Sequence, residues 1–225
     1  MNKSISKIYQ EALILKKIFV IFFLNLIIFI STFSASTDTI KEIKIMADKG
    51  DLEAQFDLGE LYYDEEKYEL AEKYYKLAAD NGNINAQYEL GGLYYEQERF
   101  QMAETYYKLA ADSGNARAAS NLGVMYSNQG KLDVAKKYLQ LAADNGDLEG
   151  QFSLGFLYEE ENPKLAEKYY KLAADKGYSK AQNNLGLLYY EQENFELAEK
   201  YLKLAIDSGN PDAKDNLEVV QSRRK

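Results

Sequence analysis

The sequence has 225 residues, with 27 basic and 36 acidic side chains and a formal net charge of −9. It contains no His, Cys or Trp, which excludes a Ser-His-Asp triad, a cysteine nucleophile, a disulfide framework and a His/Cys zinc site. The acidic balance argues against nucleic-acid binding, which needs clustered Lys and Arg against phosphates. The sequence holds no Gly-rich phosphate loop, and we predict neither a cofactor nor a metal.

Residues 1–36 differ in composition from the rest of the chain. Lysines precede an apolar run from Ile18 to Ile30, and small polar residues follow it. This order is typical of a secretory signal peptide, and the run is shorter than the roughly 20 residues that cross a bilayer comfortably. We therefore predict a cleaved signal peptide and an exported, periplasmic or extracellular protein. An uncleaved anchor over 18–33, with the following residues outside the cytoplasm, stays open as the alternative.

After residue 36 the chain repeats one unit five times. A Leu-Gly pair marks each unit, and the glycines of these pairs are Gly59, Gly91, Gly123, Gly155 and Gly186. Apolar residues recur at intervals of three and four, which is the period of an amphipathic helix. Each unit therefore predicts two helices, which in the first unit run from Leu52 to Tyr63 and from Tyr68 to Asp80. We predict five full repeats over about 52–210, flanked by half-repeats, in a single domain over 37–225.

The repeated glycine lies inside the first predicted helix, where Gly costs about 1 kcal/mol relative to Ala. Close approach between the paired helices would explain a cost that recurs in every unit. We predict that a small alanine of the second helix lies opposite each glycine. These alanines are Ala71, Ala103, Ala135, Ala166 and Ala198. Because neither helix can bury its apolar face alone, neighbouring units must stack, which predicts an all-α solenoid of paired antiparallel helices.

The first unit reads Leu58-Gly59-x-x-Tyr62, followed by Ala71 and Ala78. This pattern resembles the tetratricopeptide repeat, and the closing Leu-Ala-Ala-Asp-x-Gly-Asn-x-x-Ala-Gln segment is similar to the related Sel1-like repeat. The resemblance implies a superhelical, non-enzymatic scaffold that binds a protein or peptide on an inner face lined by the first helices. One residue is missing from the fourth unit near 161–163, where we predict a local irregularity.

The family's inner-face positions give a candidate partner-binding surface in this sequence. It mixes aromatic side chains with carboxylates, which favours an amphipathic or basic peptide. The third unit is poor in aromatics, so we expect two aromatic patches. The candidate binding residues are Phe56, Glu60, Tyr63, Tyr88, Tyr95, Arg117, Phe152, Phe156 and Tyr190. By contrast, Tyr74 and its counterparts recur in register in the second helices, and we assign them to the core.

Two other functions stay open as alternatives. A retained segment 18–33 would make the protein a membrane-anchored assembly factor. The acidic runs 64–66 and 159–161 leave a carboxylate-dependent hydrolase open as a function, because paired carboxylates can catalyse hydrolysis. Paired carboxylates can also bind calcium. Neither run has the alternating Asp spacing of a calcium loop, and both fall at predicted turns, so we predict no enzyme and no catalytic residue. Polar residues of the closing half-repeat, such as Asp215 and Glu218, favour a monomer because they cap the stack.

Overall fold

A computed structural model of the protein describes residues 39–224. Segment 1–38, which carries the predicted signal peptide or anchor, lies outside the described residues. Among the helices from residue 39 to residue 224, none has both the length and the apolar character needed to cross a membrane. The chain divides into two compact units, of which one ends at Leu77 and the other begins at Ala78.

The regular structure of residues 39–224 is helical throughout and follows the sequence repeat. Helix α1 covers residues 39–48 of the described chain. The helices that follow are α2 (Leu52–Asp64), α3 (Tyr68–Asp80), α4 (Ile84–Glu96), α5 (Phe100–Asp112), α6 (Ala116–Asn128), α7 (Leu132–Asp144), α8 (Leu148–Tyr158), α9 (Pro163–Ala174), α10 (Ser179–Glu191), α11 (Phe195–Asp207) and α12 (Ala213–Arg223). The predicted all-α fold of paired helices is confirmed.

From Ala78 onward each helix packs against its neighbours in the sequence. Helix α4 contacts α5, α5 contacts α6, and the series continues to α11 and α12. Packing mainly between sequence neighbours is the organisation of a solenoid. Helix α6 also contacts α8, so the first helices of successive repeats lie side by side. The surface that these first helices share is called the inner face below.

Capping side chains and glycines fix where the first helices begin. The side chains of Asp51, Asn83, Asn115 and Asp147 each accept a hydrogen bond from the backbone N–H three residues later, at 2.7–2.9 Å. Such caps satisfy N–H groups that the helix leaves without a partner. The residue before each cap is a glycine, and Gly82 has a φ of +92°. This left-handed conformation, which costs glycine little, turns the chain from one repeat into the next.

The turn inside the fourth repeat is irregular, as the missing residue predicts. In the other repeats one turn residue adopts a positive φ, and these residues are Glu66, Glu98, Gly130 and Glu193. None of the residues from 159 to 162 does so. Instead Glu159 keeps a helical backbone, with φ of −52° and ψ of −50°. Asn162 then caps α9 by accepting from the N–H of Leu165 at 3.2 Å.

The repeated glycine makes room for a large side chain of the second helix. A Cβ atom on Gly59 would lie 2.3 Å from Cδ1 of Tyr75, far inside van der Waals contact. The facing side chains, in chain order, are Tyr75, Tyr107, Leu139, Tyr170 and Leu202. The prediction of a close approach is therefore confirmed, and the nearest group is a large side chain that the sequence analysis did not single out. At Gly186 the carbonyl oxygen of Ala198, one of the predicted alanines, also lies close, at 3.2 Å.

The core of the repeats combines small alanines with tyrosine rings. The predicted core tyrosines Tyr74, Tyr106, Tyr138, Tyr169 and Tyr201 are buried, which confirms that assignment. In four repeats a buried glutamine also bonds to the helix that precedes the repeat; in the second repeat Gln87 Nε2 donates to the carbonyl oxygen of Ala79 at 3.1 Å. The third repeat has Ala119 at this position and does without the bond. These shared contacts explain why the repeats from Ala78 onward stack in the same way.

Candidate functional site

Two adjoining cavities lie on the inner face of the unit that begins at Ala78. Cavity A has a volume of about 380 Å³, and cavity B has a volume of about 270 Å³. Val124 of α6 lines both, so the two cavities form one continuous inner groove. The other residues of cavity A include Tyr95, Tyr107, Asn121, Met125, Glu149 and Lys180. Those of cavity B include Leu139, Phe152, Phe156, Leu157 and Asn184.

The helical period places the groove residues on one face. Phe152 and Phe156 are four residues apart in α8 and therefore point to the same side of the helix. They lie three residues before and one residue after Gly155. Val124 occupies the same place after Gly123 in α6. Because the units stack in register, equivalent positions of successive first helices meet along the groove.

The aromatic part of cavity B consists of one fixed ring and one exposed ring. Phe152 is half-buried, and its ring centroid lies 5.7 Å from the centroids of Tyr170 and Tyr178. Phe156 is 58% exposed. Such exposure of a phenylalanine within an apolar cavity is typical of a surface that a partner covers. Cavity B can therefore accept an apolar side chain.

Cavity A has tyrosine walls. Tyr95 is 41% exposed and packs edge-on against Phe100, with the ring centroids 5.4 Å apart. Tyr107 is buried, and the side chain of Asn121 lies close to its hydroxyl group. Burial is the largest cause that raises the pKa of Tyr107 to about 12, so this phenol stays neutral at physiological pH. It can offer a partner a hydrogen bond but no charge.

Tyr88 and Arg117 form a stacked pair beside cavity A. The Tyr88 ring lies 5.8 Å from the ring of Tyr107 and 4.7 Å from the Arg117 guanidinium. This is the geometry of a cation–π contact. The pairing engages the positive charge of Arg117 with an aromatic face and brings the two predicted residues together.

The charges that line cavity A are compensated. The Glu149 carboxylate lies 3.7 Å from the Lys180 ammonium group. It also accepts a hydrogen bond from the hydroxyl of Tyr178, and burial followed by this bond raises the pKa of that phenol. Cavity A therefore offers aromatic and hydrogen-bonding surface with little net charge.

A carboxylate adjoins cavity B through a hydrogen-bond chain. The Tyr170 hydroxyl donates to Glu159 at 2.6 Å and accepts from Asn184 Nδ2 at 3.4 Å. Asn184 lines the cavity, so the chain connects the Glu159 carboxylate to its wall. Burial is the largest cause that raises the pKa of Glu159; the Tyr170 bond opposes it, and the charges of Glu191 and Glu160 raise the pKa further.

The predicted residues of the first unit have a different setting. Phe56 is buried, with its ring 5.9 Å from that of Tyr75, so it presents little surface to a partner. Tyr63 is half-buried and packs edge-on against Tyr68 at 5.6 Å. Glu60 is exposed, and partial burial followed by the charges of neighbouring carboxylates raises its pKa. All three belong to the unit that ends at Leu77.

The inner groove thus collects three of the predicted residues directly, Tyr95, Phe152 and Phe156. Tyr190 is half-buried and packs edge-on against Phe195 with the centroids 6.0 Å apart, away from the lining of both cavities. Sequence reasoning missed several lining residues, among them Tyr107, Asn121, Met125 and Asn184. The position facing the repeated glycine was the available signal for Tyr107, because this position carries a bulky side chain in every unit.

Comparison with known proteins agrees with this architecture. One tetratricopeptide repeat model matches residues 56–116 and 157–213, and a second matches residues 115–144. No curated protein gave a match. A protective antigen of uropathogenic Escherichia coli with a Sel1-like repeat (SLR) fold is similar with a TM-score of 0.74 and 24% identity; the match covers 80% of this chain and 44% of that protein. The present chain therefore spans less than half of the antigen's length.

Two further solved structures are similar over most of both chains. A Sel1 repeat protein from Oxalobacter formigenes has a TM-score of 0.63 and 23% identity, over 77% of this chain and 86% of that one. YrrB, a tetratricopeptide repeat protein with an unusual peptide-binding site, has a TM-score of 0.56 and 26% identity, over 79% and 96% respectively. At these identities the structural likeness establishes the fold.

Proposed function

Because this chain belongs to the tetratricopeptide repeat family, we propose that it is a non-enzymatic scaffold that binds a segment of a partner protein in its inner groove. Repeats of this family generally form protein-interaction surfaces rather than active sites. The similarity to YrrB, which has a peptide-binding site of its own, supports a peptide or an extended protein segment as the ligand.

One observation carries this proposal: the exposed aromatic surface of the inner groove. Phe156 and Tyr95 are 58% and 41% exposed, and each lines a cavity of the groove. Soluble proteins rarely leave large aromatic side chains exposed within concave apolar surface, unless a ligand or partner covers them. Buried aromatic anchors also carry much of the energy of protein interfaces.

Site-specific photo-crosslinking tests the proposal. A photoreactive phenylalanine analogue replaces Phe156 in the full chain, which is expressed in cells and irradiated. Because position 156 is largely exposed, the analogue fits without repacking the core. We expect discrete adducts with a partner protein from this position.

Leu172 of α9 provides the matched control. It is also a partly exposed apolar residue, 41% exposed, but it is in a second helix and outside both cavities. The same analogue at position 172 is expected to give no specific adduct. Equal adducts from both positions, or none from position 156 when the protein is intact, would contradict binding in the inner groove.

We further propose that the protein is exported after cleavage of residues 1–36. The order of lysines, apolar run and small residues supports this processing. The intact mass of the native protein from fractionated cells tests it. A soluble species that begins near Thr37 is expected, whereas a full-length species in the membrane fraction would support the anchored assembly factor. Light scattering of the same sample tests the expected monomer.

A further inference from the structure

We propose that the partner segment carries an apolar side chain next to a basic one, and that it places the apolar group in cavity B and the cation beside Glu159, Glu160 and Glu191. This inference rests on the proposed function and names the chemistry of the ligand. It makes the fourth and fifth repeats the part of the inner groove that selects the partner.

The apolar half of the site is defined by the shape and lining of cavity B. Its volume of about 270 Å³ exceeds that of a single aromatic side chain, so a phenylalanine or leucine can enter. Leu139 and Phe152 form the inner wall, and Phe156 stands at the exposed side. Phe152 is already held by Tyr170 and Tyr178, which means that the pocket is preorganised.

The charged half is defined by three carboxylates at the ends of α8 and α10. Glu159 and Glu160 directly follow α8, and Glu191 is the last residue of α10. Within residues 39–224 none of the three has an ion-pair partner. Other acidic residues of these repeats do have one: Glu149 pairs with Lys180, and Glu161 pairs with Lys136.

Glu159 is partly exposed, and its polar neighbours connect the carboxylate to the wall of cavity B. Its hydrogen bond from Tyr170 holds one oxygen, and Tyr170 is itself bound by Asn184 of the cavity wall. An apolar side chain in cavity B would therefore bring the next residue of the partner towards this carboxylate. A basic residue at that position would neutralise charges that repel one another in the free protein.

The distribution of charge along the groove favours a cation at this end. Arg117 lies at the other end and faces Tyr88, and the Glu149–Lys180 pair in cavity A is balanced. The described carboxylates do not converge as a set that could hold a metal ion. A guanidinium or ammonium group on a partner is the cation that such a half-open acidic rim accommodates.

The first repeat also carries a cluster of negative charges. Helix α2 presents Glu53, Asp57, Glu60 and Asp64, and the charges of the other three contribute to raising the pKa of Glu60. Their spacing of three or four residues places them along one side of the helix. The first helix of the first repeat is therefore acidic as well, which agrees with a basic partner.

Binding of three synthetic peptides to the full chain tests this inference. Each peptide has the same Gly-Ser background and a fluorescent label, and carries a single Phe-Arg-Arg, Phe-Glu-Glu or Ser-Arg-Arg block. Fluorescence anisotropy measures the dissociation constants at low and at physiological salt. We expect the Phe-Arg-Arg peptide to bind about tenfold more tightly than either of the others, because it alone satisfies both halves of the site.

Charge-neutralising variants locate the selectivity. The triple variant Glu159→Gln, Glu160→Gln and Glu191→Gln is expected to weaken binding of the Phe-Arg-Arg peptide roughly five- to tenfold and to reduce its salt dependence. The matched control removes three carboxylates elsewhere: Glu196→Gln, Asp207→Asn and Glu218→Gln. It changes the net charge equally and is expected to leave the affinity within about twofold of wild type.

The outcomes separate this inference from the proposed function. Equal binding of the Phe-Glu-Glu peptide, no binding of any peptide, or an unchanged affinity in the first triple variant would overturn a basic ligand. The proposed function would still stand if position 156 crosslinks to a partner in cells. If neither peptide binding nor crosslinking depends on the groove, both are wrong.

Discussion

Two adjacent glycines of α4 give a sharp test of how the repeats pack. A Cβ on Gly91 would lie 2.7 Å from Cδ1 of Tyr107 and 3.0 Å from its Cγ. A Cβ on Gly92 would meet only the Tyr107 hydroxyl oxygen, at 3.5 Å, which is an ordinary contact. Both residues lie inside the helix, where alanine is favoured over glycine by about 1 kcal/mol. The substitutions Gly91→Ala and Gly92→Ala therefore differ mainly in packing.

The magnitude follows from the position of the Tyr107 ring. Tyr107 is 4% exposed, and the clash involves atoms near the root of its ring, so rotation of the side chain tip cannot relieve it. Overpacking of this kind costs about 1–3 kcal/mol. Gly92→Ala should therefore raise the free energy of unfolding by up to about 1 kcal/mol. Gly91→Ala should be less stable than Gly92→Ala by about 1–3 kcal/mol.

Urea denaturation followed by far-UV circular dichroism measures the free energy of unfolding of both variants. The midpoints can be compared directly if the dependence of this free energy on urea concentration is the same in both. A double mutant confirms the cause: in a Tyr107→Ala background the clash is absent, and Gly91→Ala should become as favourable as Gly92→Ala. If Gly91→Ala is as stable as Gly92→Ala in the wild-type background, the repeated glycine does not serve to admit the facing side chain. The same result would remove the explanation for the glycine in the other units.

Three further predictions concern single residues. Glu98 adopts a φ of +59°, so Glu98→Gly should stabilise the chain by up to about 1 kcal/mol in the same urea assay. Gln87→Met should leave the free energy of unfolding within about 1 kcal/mol of wild type, because it removes a buried unpaired Oε1 together with the bond to Ala79. Gln87→Glu should lower the free energy of unfolding by about 2 kcal/mol or more at neutral pH, because it places a charge in the same buried position. Glu159→Gln should raise the urea midpoint at pH 7. The raised pKa of Glu159 means that the folded state loses stability as the pH rises from the ordinary carboxyl value of 4.5 through the folded value, and the gain from Gln should vanish below 4.5. An unchanged midpoint at pH 7 would refute this last expectation.

The repeat itself made most of the fold predictable. The helical period and the turn glycines recur in every unit, and the predicted helix of Tyr68 to Asp80 has those bounds in the structure. The burial of the Tyr74 series was also predictable, because only a core position must hold the same ring in every repeat. Symmetric features of a solenoid are written several times in the sequence and are therefore easy to read.

The groove was only partly predictable, because it depends on contacts between units. Nothing in the sequence of α5 indicates that Tyr107 reaches past its own repeat to Asn121. The bulky side chain nearest to the repeated glycine was also missed, because the sequence indicates a close approach but not which side chain the helix geometry brings there. Phe156, an inner-face position carried over from the family pattern, is exposed and lines cavity B.

The fourth repeat shows how a small break in symmetry creates a distinct surface. The position four residues after the repeated glycine is a tyrosine in three repeats, where it packs against the first aromatic residue of the second helix. In the fourth repeat this position is Glu159, and α9 begins with Pro163 instead of an aromatic residue. The backbone of Glu159 is helical, as is that of the three tyrosines, and its carboxylate accepts a hydrogen bond from the Tyr170 hydroxyl. The fourth repeat therefore has an acidic group, linked through Tyr170 and Asn184 to cavity B, where three repeats have an aromatic contact, and we expect partner selection to depend on this repeat.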